Sequence, residues 1–367
     1  MFKIFDRFIY KQFLGVFFFI NLIFAIIIVV FDLTDKLDNL LQSKAPWSAV
    51  FLDYYSGFIP FLINMLASLL AFVSVIFFTS RMANRSEVIA FYNGGLTFRR
   101  FLQPFIVIAL SITLLSLFLA NYLIPATSQR RIDFEYKYIK SNPFSNMKTR
   151  MHKQIEENHY ICLENYSPYD NSAYNFTYEE LKDGFIVYKL RSDFIKYDSS
   201  KSKWTLKNYE ERSFEYKDNK SLPTNEIYKT GNDTAIAYNM TPIDFARGIY
   251  DIQKMPFYEL NKTIATEKEK GSSDVPVYEN ERQRRLAEPL SIMILTLIAV
   301  PLSAKKIRGG MGAQIALGLV ICFSFVMMNR VSAMFAVYGN VNPIIATWVP
   351  DILYTFVAIY ILYKTEK

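Results

Sequence analysis

Residues 13–31 read FLGVFFFINLIFAIIIVVF, and this run decides the fold class. A membrane-crossing helix needs about 20 mostly apolar residues, and Asn21 is the one polar residue within the run. The run is too long for the apolar part of a cleaved signal peptide, and no convincing small-residue cleavage site follows it. We therefore predict an uncleaved first membrane span.

Further apolar runs repeat this pattern on both sides of a polar middle. The run of the fourth predicted span, Pro289–Ala304, is short, but it lengthens if residues 286–288 continue the helix. A single run of this kind could be a buried helix of a soluble protein, but six of them in one chain favour a membrane protein. The five additional predicted spans are Gly57–Thr79, Phe101–Ile124, Pro289–Ala304, Ala313–Val337 and Ile344–Tyr363.

The polar middle divides the chain into three parts. Residues 1–125 carry three spans, residues 126–285 are rich in Lys, Glu, Asn and Tyr, and residues 286–367 carry three more spans. We therefore predict a helical membrane protein with a 3+3 arrangement of spans and one inserted extramembrane domain.

The distribution of charge predicts the orientation of the spans. Lys and Arg are enriched in cytoplasmic flanks, and basic residues cluster at the N-terminus, in residues 81–100, after the fourth span and in the C-terminal tail. The connection between spans one and two is instead rich in Asp. Both termini are therefore expected in the cytoplasm and the inserted domain on the other side. An even number of spans requires the same arrangement.

The net charge of +7 follows from this topology. Most of the excess lies in the membrane parts, because acidic and basic residues nearly balance within residues 126–285. Nucleic-acid binding would need a clustered basic face on a folded domain, and the sequence has none. We therefore expect no nucleic-acid partner.

The inserted domain is predicted to be mostly β. Short runs rich in aromatic and β-branched residues alternate with polar clusters such as Asp198–Lys201 and Lys217–Lys220, which is typical of a sandwich or an open barrel. Helical connectors are expected at Ser128–Lys140 and Pro256–Lys270, the second ending at Gly271. The predicted strands are His159–Leu163, Phe185–Leu190, Phe194–Tyr197, Trp204–Asn208, Ser213–Tyr216, Glu226–Thr230 and Ala235–Tyr238.

The sequence gives no sign of catalytic or cofactor chemistry. It contains no Gly-x-x-x-x-Gly-Lys-Ser/Thr loop that would hold nucleotide phosphates. The two histidines, His152 and His159, have no cysteine nearby except Cys162, which is a poor basis for a metal site. No grouping of serine, histidine and carboxylate indicates a hydrolase. We therefore expect no enzyme activity, no cofactor and no metal in this chain.

Several short motifs stand out by their order and spacing along the chain. They are Asp6–Ile9 with Lys11, RSEVIAFYNGGLT at Arg85–Thr97, MPFYEL at Met255–Leu260, ERQRRLAEPL at Glu281–Leu290, PLS at Pro301–Ser303 and NPII at Asn342–Ile345. Together they resemble the permease subunits LptF and LptG of the lipopolysaccharide-transport ABC exporter. The similarity covers the whole layout of the chain, and the residues before the last span are closer to LptG.

This resemblance implies a role and a set of partners. The protein would be an inner-membrane permease subunit that extracts lipopolysaccharide and passes it to its own periplasmic β-jellyroll. Its partners would be a cytoplasmic LptB-like ATPase dimer and an LptF-like sister permease. Lipopolysaccharide would then move toward the outer membrane over an LptC-like single-span protein and a soluble LptA-like bridge. ATP hydrolysis would take place in the partner subunit.

The resemblance also places an ATPase-coupling site in residues 81–100. Glu87, together with Arg85 and Ser86, matches the position at which the family contacts its ATPase. A short helix there could press into a groove on the ATPase and convert nucleotide-driven closure into movement of the spans. The alternative is a solvated glutamate that balances Arg81 and Arg85.

Basic residues near the outer ends of the spans are candidates for binding lipid phosphates. Lys36 and Lys44 follow the first span, and an ammonium group at a membrane surface attracts anionic head groups by about 1 kcal/mol. The family uses lysines near this position, but ordinary interfacial lysines are the alternative. Arg330 could meet a phosphate or pair with Asp351, and Glu288 at the entrance of the fourth span is ambiguous.

Two other classes of function fit the same topology. One is a membrane-anchored periplasmic receptor or assembly scaffold whose β domain binds a protein and transports nothing. The other is a permease for another lipid or for a peptide. Copurification of an ATPase and a second six-span protein would favour the exporter.

Overall fold

The architecture was determined from a computed structural model. It describes residues 4–139, 151–167, 170–198, 203–216, 223, 225–236, 249–272, 274–305, 310–339 and 341–366. The helices considered below are α1 (Ile4–Gln42), α2 (Ser56–Met65), α3 (Ala67–Asn84), α4 (Glu87–Asn93), α5 (Phe98–Phe118), α6 (Ile124–Phe134), α7 (Phe257–Glu269), α8 (Val275–Ala304), α9 (Gly310–Tyr338) and α10 (Pro343–Glu366).

In the described part of the chain, six helical segments are long and apolar enough to cross a membrane, which agrees with the predicted number of spans. Hydropathy found them correctly because each contains an almost uncharged window long enough to cross the hydrocarbon core. The segments are Ile4–Gln42, Ala67–Asn84, Phe98–Ile139, Val275–Ala304, Gly312–Tyr338 and Pro343–Thr365.

The second span is interrupted, whereas the sequence predicted one continuous helix over Gly57–Thr79. α2 ends at Met65 and α3 begins at Ala67, with Leu66 at φ −98° and ψ 6° between them. Hydropathy could not show this break, because the residues on both sides of it are apolar. A π-helical segment, Val50–Tyr55, precedes α2.

The fourth span is much longer than the predicted Pro289–Ala304. α8 begins at Val275 and contains 30 residues, which corresponds to a length of about 45 Å. Its charged first half is helical because opposite charges three and four residues apart pair with one another, as Glu281 does with Arg284 and Arg285. The predicted domain boundary between residues 285 and 286 lies within this helix.

Burial divides the six spans into two central helices, α3 and α8, one intermediate segment that contains α5, and three peripheral helices, α1, α9 and α10. In the apolar windows of α3 and α8, 72% and 61% of the residues are buried. The corresponding shares are 11% for α1, 17% for α9 and 28% for α10. α8 packs against α3, α5 and α10. α1, α9 and α10 nevertheless leave most of their large apolar side chains exposed on their outer sides.

The inserted domain contains one antiparallel sheet in which each strand pairs with the next one in the sequence. This confirms the predicted fold class, a helical membrane protein with an inserted β domain. Among the described strands, this order is that of a meander. The strands are β1 (Met151–Glu156), β2 (His159–Ser167), β3 (Ser172–Lys182), β4 (Phe185–Asp198), β5 (Lys203–Glu215) and β6 (Asn225–Ile236).

The strands are longer than the sequence predicted. The runs predicted at Phe185–Leu190 and Phe194–Tyr197 are both part of β4, and β5 and β6 each contain two predicted runs in the same way. β1 and β3 were not predicted. The residues that separated the runs, 191–193, 209–212 and 231–234, lie within continuous strands and not in turns. Among them Ser192 is buried and the others are partly or fully exposed. Lys217–Lys220, most of Asp198–Lys201 and the end of Ala235–Tyr238 lie outside the described residues.

The sheet buries one face around a small apolar core. Phe176, Leu190, Ile195 and Leu206 are fully buried in it, and Trp204 is nearly so. The helical connectors flank the sheet as predicted: α6 continues through a π-helical segment to Ile139, and α7 ends before Gly271, whose φ is +65°. Within the described part of the domain, this core covers one face of the sheet.

Candidate functional site

The short helix α4 lies on the connection between the second and third spans. α3 ends at Asn84 with Arg85 as its C-cap, and Ser86 has a left-handed φ of 61°, which turns the chain before α4 begins at Glu87. After α4, Gly95 has a φ of 78° and allows a second turn. Thr97 then caps α5 by accepting a hydrogen bond from the backbone N–H of Arg100.

α4 is attached to the membrane helices by one apolar side. Val88 and Phe91 are buried, and the Phe91 ring lies 4.3 Å from the ring of Phe5 in α1 and 5.4 Å from that of Phe101 in α5. Ile89 and Tyr92 remain exposed on the same helix. A force applied to α4 would therefore reach α1 and α5 directly.

Arg85 and Glu87 form only a loose ion pair at the start of α4. Their charged groups are 3.9 Å apart, and the side chains are 58% and 35% exposed. Exposed pairs of this kind contribute about 0–1 kcal/mol to stability. The structure thus brings the predicted coupling residues Arg85, Ser86 and Glu87 together, and it leaves both charges accessible.

A buried ion pair fixes the helices on which α4 rests. Arg100 at the start of α5 donates to Asp6 at the start of α1, with Nη2 and Oδ2 2.7 Å apart. Asp6 is only 5% exposed. Phe91 of α4 contacts α1 and α5 at the same end at which this ion pair joins them, so α1, α4 and α5 are connected to one another there.

Lys36 lies near the other end of α1, inside a small polar and aromatic cluster. Its ammonium group donates to Asp32 Oδ1 at 2.7 Å and to the Tyr54 hydroxyl. It also lies 4.6 Å from the centre of the Tyr54 ring and 5.0 Å from that of Phe58. Burial and the Asp32 charge raise the pKa of Tyr54 above its ordinary value, so this phenol stays neutral.

The other two candidate phosphate ligands have different surroundings. Lys44 is exposed and follows the end of α1 with a φ of 50°. Arg330 is exposed on α9 and interacts electrostatically with Glu288 of α8. Among the described ion pairs there is none between Arg330 and Asp351 of α10. Lys36 and Lys44 share one end of α1, whereas Arg330 belongs to a different helix.

A cluster of alternating charges occupies the first half of α8. Arg284 pairs with Glu281 at 2.8 Å and with Glu288 at 3.0 Å, and Arg285 donates to Glu281 at 3.0 Å. Arg285 also donates to the carbonyl oxygens of Ile252 and Met255, at 2.8 and 2.7 Å. Ile252 lies in the last turn of the short 3₁₀ helix Ile249–Lys254 and Met255 follows that helix, so Arg285 binds its C-terminal end.

The charge cluster borders a small cavity between α2, α6 and α8. Its volume of about 30 Å³ is enough for a water molecule. Asn64, Gln253 and Glu288 are among its polar lining residues. The arrangement holds the charges of α8 in place where this helix passes from the extramembrane segment into its apolar half.

Sequence reasoning did not identify the Lys36 cluster or the bond from Arg285 to the 3₁₀ helix. The spacing of four residues between Asp32 and Lys36, and the series Glu281, Arg284 and Glu288, could have indicated paired charges on a helix. The contributions of Tyr54 and of the carbonyls carry no local signal, because they depend on the tertiary fold.

These features define a class: a multi-pass helical membrane protein with an inserted β domain and a short helix between spans two and three. The sequence model of one family, described as lipopolysaccharide export system permease LptF/LptG, matches residues 7–364. The chain belongs to this family, and it is therefore a permease-type transport subunit of the inner membrane. The match does not distinguish LptF from LptG. A search of curated proteins found no match.

Proposed function

We propose that this subunit extracts lipopolysaccharide from the inner membrane and passes it through its β domain to a protein bridge toward the outer membrane. The observation that carries the proposal is helix α4, which rests on α1 and α5 and exposes Glu87 on a connection between two spans. In a family of export permeases, such a helix is suited to receive movement from a separate ATPase.

The proposed orientation places α4 in the cytoplasm and the sheet in the periplasm. Arg81, Arg85, Arg99 and Arg100 make the α4 connection strongly basic, which favours the cytoplasmic side. Both termini then lie in the cytoplasm as well. An LptB-like ATPase dimer would bind α4 on this chain and the matching helix of an LptF-like sister permease.

Coupling would proceed from α4 to the two helices that it contacts. Closure of the ATPase moves α4, and the rings of Phe5, Phe91 and Phe101 transmit this displacement to α1 and α5. The ion pair between Asp6 and Arg100 prevents α1 and α5 from separating at this end. α1, α9 and α10, the least buried spans, would face the sister permease and close around the lipid.

Lipid phosphates would be held near the outer ends of these spans by Lys36, Lys44 and Arg330. Lys44 is exposed, whereas Lys36 is paired with Asp32 and would exchange this carboxylate for a phosphate. Ammonium groups at a membrane surface contribute about 1 kcal/mol each to the binding of anionic lipids. Arg330 would provide a contact from α9.

The β domain would pass the lipid on by pairing with other β domains. β1 and β6 form the two edges of the described sheet, and an edge strand offers free backbone groups to a further strand. An LptC-like protein and a soluble LptA-like protein would extend the sheet at one of these edges.

Charge reversal at Glu87 tests this function. In the exporter reconstituted with its ATPase, we expect Glu87→Lys to reduce lipopolysaccharide release strongly while ATP hydrolysis continues, and Glu87→Gln to have a smaller effect. Lys305→Glu, which reverses an exposed charge on the connection between α8 and α9, is the matched control. Normal release by Glu87→Lys would contradict the coupling assignment, and the absence of lipopolysaccharide from the purified complex would contradict the export function.

A further inference from the structure

Four neighbouring strands share an irregularity at the same level of the sheet. In β4, Asp193 and Phe194 lie between Ser192 and Ile195, both fully buried, so two consecutive residues face away from the core where a regular strand has one. The equivalent pairs are Tyr174–Asn175 in β3, Lys207–Asn208 in β5 and Asn232–Asp233 in β6.

Cross-strand pairing shows that these irregularities are aligned. Tyr174 pairs with Phe194, Phe194 with Lys207, and Lys207 with Asp233, and regular pairing resumes two residues further on in each strand. The ladder bypasses one residue of each strand at this level. The bypassed residues form a line across the sheet, here called the amide row: Asn175, Asp193, Asn208 and Asn232.

The backbone and side chains of the amide row fit this position. Asn175 and Asn208 have left-handed φ angles of 49° and 52°, a conformation that Asn tolerates better than most residues. The side-chain amide of Asn208 donates to Asp193 Oδ2 at 3.4 Å. The row thus presents amide and carboxylate groups side by side, about 4.8 Å apart from strand to strand.

A groove of about 550 Å³ runs along the β4–β6 half of the amide row. This volume lies within the range of small-molecule binding sites. Tyr209 packs toward the core side of the sheet, and Gly231 accommodates it, since a Cβ there would lie 2.5 Å from the ring. The groove is lined by Arg191, Asp193, Asn208, Glu210, Thr230 and Asn232 together with Tyr209 and Gly231.

The chemistry of the lining selects among ligand classes. Arg191 is outnumbered by Asp193 and Glu210, so the groove does not favour phosphate or another anion. In the part of the chain that the structure describes, no cluster of His, Cys, Asp or Glu could hold a metal ion. The one aromatic side chain among the lining residues, that of Tyr209, packs toward the core side of the sheet. Amide, hydroxyl, guanidinium and carboxylate groups together suit a ligand whose hydroxyls both donate and accept.

We propose that this groove binds an oligosaccharide, laid across β4, β5 and β6. The three amide-row residues within it span about 10 Å, which suits a short chain of sugar units. The inference concerns the exposed polar face of the sheet and applies to any polyhydroxylated chain; it rests on the proposed export function only where the ligand is the sugar part of lipopolysaccharide. Two sources share this chemistry: the sugar part of lipopolysaccharide and the glycan strands of the cell wall.

The test titrates full-length protein in nanodiscs with two probes, followed by saturation-transfer NMR. The first probe is the lipid-free oligosaccharide released from lipopolysaccharide by mild acid, and the second is soluble cell-wall glycan fragments. We expect one of them to bind, and its identity names the source. Asp193→Ala and Asn232→Ala should each weaken binding by up to about tenfold, since each removes hydrogen bonds to the sugar.

Controls separate binding from folding. Lys196→Ala removes an exposed side chain of β4 outside the groove and should leave affinity unchanged. Asn208→Gly removes the side-chain amide from the groove, and glycine adopts the left-handed backbone of this position without strain. Circular dichroism confirms the sheet in each variant. Failure of both probes to bind, or equal binding by wild type and all groove variants, would overturn the inference. Lipopolysaccharide that copurifies with the chain in such a case would leave the export function intact.

Discussion

Replacing Arg285 by Met tests whether α8 anchors the segment that leads from the β domain back to the membrane. The Arg285 side chain is only 5% exposed and donates to Ile252 O, Met255 O and Glu281. Met has a similar apolar stem but no donor. The variant therefore removes three polar contacts and leaves most of the packing in place.

The expected cost follows from these contacts. A hydrogen bond that involves a charged group contributes about 1.5–3 kcal/mol, and breaking a buried ion pair costs about 3–5 kcal/mol. Glu281 retains Arg284 at 2.8 Å, so its charge is not left alone. We therefore expect a local loss of about 3 kcal/mol, which corresponds to faster opening of this segment by about a hundredfold.

Hydrogen exchange measured by mass spectrometry can detect this opening in the full-length protein in detergent. Amides in residues 249–260 should exchange faster in Arg285→Met, because the C-terminal end of the 3₁₀ helix loses its contact with the Arg285 guanidinium. Arg282→Met is the matched control on the same helix, since Arg282 makes one weak contact, to Asn261 at 3.5 Å.

Two results would refute this reasoning. One is unchanged exchange of residues 249–260 in Arg285→Met, which would mean that the three contacts do not stabilise the segment. The other is an equal acceleration in Arg282→Met, which would show a general effect of lost positive charge on α8. Arg285→Lys should lie between wild type and Arg285→Met, because an ammonium group cannot reproduce the planar fork of a guanidinium.

Three further substitutions test other parts of the fold by thermal unfolding in detergent. Gly318→Val should destabilise the protein by about 1–3 kcal/mol, because a Cβ at Gly318 collides with the Ile76 side chain of α3. Adding Ile76→Ala to this variant should restore part of the lost stability. The absence of such a rescue would contradict the contact. Asp6→Asn should cost about 2 kcal/mol by weakening the bond to Arg100, and an unchanged melting temperature would contradict it. Burial and then the charge of Asp170 raise the pKa of Tyr166 to about 12 from 10.0, so wild-type stability should fall as pH rises between these values. Tyr166→Phe should show a smaller fall, and identical alkaline profiles would contradict this.

The membrane spans were largely predictable from the sequence, because a span needs only a long apolar run. The start of α8 at Val275 was not predictable in this way. Residues such as Glu281 and Arg284 are polar enough to resemble a loop, and they are helical because they pair with each other and with a segment distant in the sequence.

The β domain shows a different limit of sequence reasoning. Residues 191–193, 209–212 and 231–234 interrupted the apolar patterns and were interpreted as breaks between strands. They lie in or next to the amide row, within β4, β5 and β6. A single strand cannot reveal such a feature, since the alignment with neighbouring strands is what keeps these residues in the sheet.

The coupling residues Arg85, Ser86 and Glu87 were found by resemblance, and the turn at Ser86 shows why their local sequence matters. Lys36 was found in the same way, but its pairing with Asp32 and Tyr54 joins two helices. Such contacts become visible only once the tertiary structure brings the elements together.

The aligned irregularity also limits how the sheet could change by insertion or deletion. Side chains alternate between two faces, so the loss of one residue from one strand reverses the parity of every residue beyond that point. Deleting Asn208 alone would turn Leu206 and Trp204, or else Tyr209 and its successors, to the opposite face. The pairing of Phe194 with Lys207 and of Ser192 with Tyr209 could not then both persist. The aligned irregularity therefore belongs to the four strands together: all four could lose it at once, but no single strand can lose it alone.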